Sequence, residues 1–263
     1  MPDTQLSFPV SSPRAWAEIS FAHLRHNYRV VNQDQHGAVM AVLKAGAYGH
    51  GIKKIAGALE SLPREEAPPF FGVASVIEAR RLAEAGIKTR IYLLGPSCPF
   101  EREEIVARGW TPCISSMEEA QDFHRLSSSS AKLRVHLTVD TGMGRGGFLP
   151  YDLVENIGEL DLLVNLQIEG IGSHLPSADE DDAFTLSQFK TFDDLIETLG
   201  ADRFQYIHLA NSAGILAYQS RFTNLCRPGL MLYGVSPMEP FQNKLKPVLS
   251  LKSKVSLVRT LPA

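Results

Sequence analysis

Apolar runs of strand length recur eight times along this chain, and most are separated by a segment whose apolar residues have helical spacing. The runs cover 38–45, 70–75, 90–95, 111–115, 133–140, 166–174, 206–211 and 224–230. Helical candidates fill 53–62, 76–85, 100–108, 117–126 and 151–160, and a longer one spans 181–199. Gly86, Gly109 and Gly200 stand where a helix C-terminus favours a residue free to take positive φ. A period of roughly 20 to 30 residues is that of a strand plus a crossover helix. Eight such units with short connections predict a closed (β/α)8 barrel of the TIM type, with a doubly wound open sheet as the competing arrangement.

Two stretches stand outside this alternation. After Trp16-Ala17-Glu18-Ile19, Ser20 is a good N-cap for an opening helix with Phe21, Leu24, Tyr28 and Val31 on one face. At the other end, Val248, Leu249, Leu251, Val255, Leu257 and Val258 alternate with polar residues in a strand pattern that no helix follows. The expected organisation is a barrel over 1–246 and, over 247–263, the start of a truncated C-terminal β domain.

Composition removes several classes of function. A net charge of -3 and no basic run longer than Lys53-Lys54 or Arg80-Arg81 argue against nucleic acid as a partner. Cys98, Cys113 and Cys226 are far apart and form no CxxC pair, so neither a disulfide framework nor a thiolate metal site is suggested. No stretch approaches the roughly 18 apolar residues of a membrane span, and residues 1–13 lack the apolar core of a signal peptide. A cytoplasmic location is the default expectation.

In a parallel barrel, reactive groups lie at the C-terminal ends of strands. Lys44 closes the first run, Arg145 follows the fifth, His174 closes the sixth, Asn211 and Ser212 close the seventh, and Arg227 and Gly229 sit at the eighth. An ammonium at the end of a buried strand loses solvation, which lowers its pKa and makes Lys44 a candidate amine nucleophile; a side chain that snorkels to solvent is the plain alternative. Gly46, Gly49 and Gly51 mark either a turn or a close approach to a ligand. The loops after runs seven and eight are where such barrels hold phosphate, although each alone reads equally as a turn.

Run five alternates Val135, Leu137 and Val139 with Arg134, His136, Thr138 and Asp140, so one face of it is polar and the barrel interior is partly polar there. Gly142, Gly144, Gly146 and Gly147 have the density of a dinucleotide loop, but Pro150 follows and no acidic ribose partner is evident. The acids over 179–182 are explained better by a capping box from Ser177 to Glu180 than by a metal site. Gly170 and Gly172, just before His174, leave room for something flat.

Taken together, Val42–Gly51, Val139–Arg145, Gly170–Glu180, His208–Ala213 and Arg227–Gly234 resemble the alanine racemase family. The resemblance implies a barrel that binds pyridoxal 5'-phosphate and an isomerase that interconverts L- and D-alanine for peptidoglycan supply. It implies that Lys44 forms the Schiff base with the cofactor and acts as one of two bases at the substrate Cα. Tyr48, Ser212, Gly229 and Leu230 hold the phosphate, with Asn211 beside them. Arg227 faces the pyridine nitrogen, Arg145 meets the phenolic oxygen or the substrate carboxylate, and His174 lies against the ring and orients the second base.

Three departures from the family pattern bear on this expectation. Gly46 stands where members usually carry asparagine, and Thr138 where many carry a lysine that supports the arginine matched by Arg145. The family's second domain, which supplies the tyrosine of the opposite face and the homodimer's shared site, does not follow Ala263. The isolated chain is therefore expected to racemise poorly. Two other readings remain at this point: a pyridoxal-phosphate carrier without turnover, and a decarboxylase or aldolase on the same barrel.

Overall fold

A computed structural model describes residues 13–33 and 37–261. The apolar runs form strands β2 (Ala38–Val39), β3 (Ala41–Val42), β4 (Phe70–Val73), β5 (Arg90–Leu93), β6 (Cys113–Ile114), β7 (Leu133–Thr138), β8 (Leu166–Gly172), β9 (Tyr206–His208) and β10 (Leu225–Cys226). Pairing is parallel within β10–β2, β3–β4–β5 and β6–β7–β8–β9.

Backbone hydrogen bonds join these pieces into a ring. Between β2 and β3, Met40 N donates to Cys226 O at 2.9 Å and Val42 N to Pro228 O at 3.2 Å, so the two are one barrel strand. Thr111 exchanges two bonds of 2.9 Å with Ile91 and Leu93, and Asn224 N and Arg227 N donate to Ile207 O and Ala210 O at 3.0 Å. The first barrel strand therefore pairs with the last, and the open-sheet alternative is removed.

Strands of such a ring are buried on both faces, which is why they read as nearly continuous apolar runs. Phe70 and Phe71 are adjacent on β4 and both fully buried, yet they belong to separate clusters. Phe71 packs outward with Val135, Leu137 and Val139 under the helices. Phe70 points into the barrel with Met40, Tyr92, Cys113 and Leu225, where its ring also meets that of His136. The polar face of β7 thus lies inside the barrel.

Two helix starts carry a reciprocal cap that also sets the rim. Ser75 Oγ accepts from Glu78 N, and the Glu78 carboxylate accepts from Ala74 N at 2.9 Å and from Gly46 N at 3.2 Å. One unit later, Ser116 Oγ accepts from Glu119 N, while the Glu119 carboxylate takes Ser115 N at 2.9 Å and Ser97 N at 3.2 Å. Each glutamate fastens its own helix and, with its second oxygen, the loop after an earlier strand.

The opening helix forms over Phe21–Gln33 as expected; three other expectations need correction, and one strand was not expected. The first run ends at Val42, because Lys44–Tyr48 leaves the barrel wall as a left-handed turn with φ of 53°, 65°, 59° and 51° at Ala45, Gly46, Ala47 and Tyr48. The eighth stops at Cys226, and Leu230–Tyr233 is a 3-10 turn. The helix Asp182–Leu199 is capped by Asp181, which accepts from Phe184 N at 2.9 Å, and not by Ser177. Finally, Ala15–Ile19 is a strand, β1, that pairs antiparallel with β11 (Leu249–Ser253) away from the ring.

Candidate active site

All nine residues expected at the rim, Lys44, Tyr48, Arg145, His174, Asn211, Ser212, Arg227, Gly229 and Leu230, line one cavity of about 320 Å³. It opens at the C-terminal ends of the strands. Lys44 sits half-buried at the start of the left-handed turn. Three alanine or tyrosine residues in that turn take a conformation disfavoured by about 1 kcal/mol or more each. The Glu78 bond to Gly46 N, together with Gly49 at φ 81° as the turn's left-handed C-cap, holds it in place. Gly46 shares its left-handed φ with the conformation asparagine tolerates best among larger residues, so the departure there is conservative.

The turn brings the Tyr48 hydroxyl back against the loop after β10. Its ring packs on Tyr233 at 5.0 Å between centroids, and Tyr233 is in turn fixed by donating to Val42 O at 3.0 Å. A Cβ built on Gly229 would lie 2.3 Å from Tyr48 Oη, so only glycine admits the contact. Ser212 Oγ accepts from Gly229 N at 3.0 Å and Met231 N at 3.4 Å, tying the loops after β9 and β10 together. Asn211 is spent on scaffolding: its Oδ1 caps Gly214 N and its Nδ2 donates to Leu175 O at 2.8 Å.

Arg227 is buried at the centre of the site. Its guanidinium donates to the carbonyls of His208, Ser173 and Leu209 and meets Nδ1 of His208 and of His174. Burial lowers its pKa to about 10, with nearby Arg145 acting in the same direction, and it remains a cation at neutral pH. Burial and then the charges of Arg227, Arg145 and Lys44 lower the His174 pKa to about 3, so its imidazole is neutral and its Nδ1 accepts from Arg227.

Arg145 is exposed on a loop organised by Asp140, whose Oδ1 accepts from Gly142 N at 2.8 Å and Gly144 N at 3.1 Å. Those glycines wrap an aspartate and open no helix; the next one begins at Pro150. That disposes of the dinucleotide reading. Thr138 lines the cavity and its hydroxyl meets Tyr92 and the Cys113 thiol. Among the described residues no cluster of metal-ligating side chains occurs and no helix is long and apolar enough to cross a membrane.

The space beside Gly170 and Gly172 is filled by protein. A Cβ at Gly170 would fall 2.6 Å from His136 Nδ1, and one at Gly172 would fall 2.1 Å from His208 Cε1. The flat groups at these two glycines are imidazoles, while His174 faces the cavity. His208 and Tyr92, which sequence reasoning did not select, line the cavity floor. Gly172, opposite His208, is the signal for the histidine; Tyr92 leaves none in the sequence.

The class these features define is a (β/α)8 barrel with an amine, a buried guanidinium and a glycine-closed corner gathered in one cavity at the C-terminal rim. The model of the alanine racemase N-terminal domain matches residues 19–237. An alanine racemase of Carboxydothermus hydrogenoformans is 38% identical over 94% of this chain and 68% of its own length. One from Helicobacter pylori is 36% identical over 94% and 68%. Among solved structures, the Clostridium difficile alanine racemase in complex with cycloserine superposes with a TM-score of 0.86 at 30% identity, covering 95% of this chain and 70% of that one. The Bartonella henselae alanine racemase with covalently bound pyridoxal phosphate gives 0.81 at 28% identity, covering 93% and 67%. The chain belongs to the alanine racemase family, pyridoxal-phosphate-dependent isomerases that act on an amino acid, and spans about two-thirds of its relatives' length.

Proposed function

We propose that this chain is the cofactor-binding barrel of an alanine racemase, with Lys44 as the amine that holds pyridoxal 5'-phosphate and works one face of the substrate Cα. The supporting observation is the cradle: the Tyr48 hydroxyl rests on Gly229, where a Cβ would displace it, in the cavity that Ser212 and Leu230 also line. That arrangement fits a phosphate tail, with the aldehyde end toward Lys44. When bound, the cofactor supplies an aldehyde for the amine and an electron-accepting ring that stabilises negative charge at Cα.

The chain's own residues divide the remaining work. Lys44 Nζ takes or returns the Cα proton on its side. Arg227, a lasting cation at the centre of the cavity, would disfavour protonating a ring nitrogen held against it and so restrain side reactions. Neutral His174, held by Arg227, is suited to orient a second base. Arg145 at the mouth offers its charge to the substrate carboxylate or the phenolic oxygen.

Racemisation needs a proton acceptor on one face and a donor on the other. We assign the second base, and a homodimeric assembly with a cytoplasmic location, to the longer protein of which residues 1–246 form the barrel and 247–263 begin a β domain. β11 lies outside the ring, in keeping with that division, and its pairing with β1 brings Ala15–Ile19 into the same ribbon. The test is solvent deuterium exchange with this chain and added cofactor. One alanine enantiomer should exchange its Cα hydrogen well faster than the pair interconverts; equal rates of exchange and racemisation would contradict a one-base barrel.

A further inference from the structure

Beneath Arg227 a line of buried polar groups runs down the barrel axis. Arg227 Nη1 meets His208 Nδ1; His208 Nε2 lies 2.9 Å from His136 Nδ1; His136 Nε2 lies 3.4 Å from Glu169 Oε1. Glu169 is paired with Arg90, which bonds Oε1 through Nη2 and Oε2 through Nη1 at 3.3 Å and also donates to Thr111 Oγ1 at 2.9 Å. Arg90 opens β5, so the line connects the closed end of the barrel to the rim. The rings of Phe70 and Tyr92 flank His136 at 5.5 and 5.0 Å between centroids and keep water from the imidazoles.

The two ends of this line dictate its protons. A guanidinium has only donors, so His208 Nδ1 must be bare and its hydrogen must sit on Nε2. That hydrogen points at His136 Nδ1, which must also be bare, leaving the His136 hydrogen on Nε2 toward the Glu169 carboxylate. The opposite tautomers would set a bare nitrogen against a carboxylate at one end and two donors face to face at the other. Burial lowers the pKa of both histidines, consistent with neutral rings. The last contact is the longest and least well aligned, His136 Nε2 having no fully formed hydrogen bond. It nevertheless has the carboxylate as its acceptor within reach.

We propose that Glu169, anchored by Arg90, is a positioning residue for Arg227: through His136 and His208 it fixes both imidazoles as Nε2–H tautomers and keeps an acceptor under the guanidinium. The inference rests on the reading of Arg227 given above and deepens it. Without Glu169 only the Arg227 end sets the direction, and the His136 Nε2 hydrogen loses its acceptor. His136 can then turn its hydrogen toward His208, whose own hydrogen moves to Nδ1 and pushes on Arg227.

The test is long-range 15N–1H correlation of the histidine rings in the whole chain without cofactor, so that its outcome is independent of whether Lys44 binds pyridoxal phosphate. His136 and His208 should each show a single pattern with the hydrogen on Nε2 and a bare Nδ1. In Glu169→Gln, His208, two residues along the line, should lose that single pattern and show the Nδ1–H form. If Glu169→Gln does not fold, Glu169→Asp, which withdraws the carboxylate by one methylene, makes the same comparison. An Nδ1–H form of His208 in the unaltered chain, or tautomers that ignore the change at Glu169, would overturn the proposal; a purely structural glutamate predicts the latter.

Discussion

The hydroxyl of Tyr48 lies directly against the α-carbon of Gly229, so close that a methyl group on that carbon would stand 2.3 Å from the oxygen. One residue follows the first barrel strand and the other the last, and their contact closes the cradle proposed for the phosphate. Gly229→Ala must push the tyrosine out. We expect retention of pyridoxal phosphate to weaken roughly tenfold, about 1.4 kcal/mol, with little change in unfolding. Dialysis followed by absorbance of the retained cofactor measures it, and unchanged retention would remove Tyr48 from the cradle.

The left-handed turn after Lys44 makes an opposite prediction for stability. Ala45 is exposed with φ 53°, a conformation that a Cβ opposes and glycine accepts freely. Ala45→Gly should raise stability by about 1 kcal/mol, and Ala45→Val should lower it by more than that. Urea midpoints of the two variants check the sign.

Glu78 and Glu119 form a natural pair of experiment and control. Both carboxylates bond a strand-end amide and an amide of an earlier loop, but only the Glu78 loop carries Lys44. Removing either to alanine orphans two amides and should cost about 2 kcal/mol. Only Glu78→Ala should also reduce cofactor capture at Lys44. Equal capture in both variants would mean the turn holds itself.

Acid should weaken the cofactor-free chain earlier than its carboxylates dictate. Burial lowers the pKa of His136 and His208 and, with neighbouring cations, that of His174 to about 3. Below the ordinary histidine value near 6.5 the unfolded chain takes up protons that the folded chain refuses, so stability falls as pH drops through that value toward 3. Each such histidine adds a slope of up to about 1.4 kcal/mol per pH unit. Urea unfolding at several pH values between neutrality and 5 reads the slope; a flat profile would mean these imidazoles are protonated in the fold.

The alternation of strands and helices was legible because a parallel strand buried on both faces and a helix buried on one leave different periods in sequence. The rim was legible for the same reason: once strands are placed, their ends are placed. What escaped was geometry set by tertiary demand. Nothing in Ala45-Gly46-Ala47-Tyr48 announces a left-handed turn, since alanine avoids that conformation and only Glu78 and the packing of Tyr48 impose it. Ser177 to Glu180 has the capping-box spacing that does work at Ser75 to Glu78 and Ser116 to Glu119, yet the helix starts later, where Asp181 caps it. Short β1 has no helix after β11 to set a period, and its partner lies at the far end of the chain. The room at Gly170 and Gly172 is legible in the sequence, but what fills it comes from the strands paired on either side, His136 of β7 opposite Gly170 and His208 of β9 opposite Gly172.

Covalent capture at Lys44 tests the central claim most directly. The chain is incubated with pyridoxal phosphate, reduced with borohydride, digested and mapped by mass spectrometry. The account predicts one phosphopyridoxyl group, on Lys44, and none in Lys44→Ala. Stoichiometric labelling of another lysine, or of the Lys44→Ala variant, would contradict it.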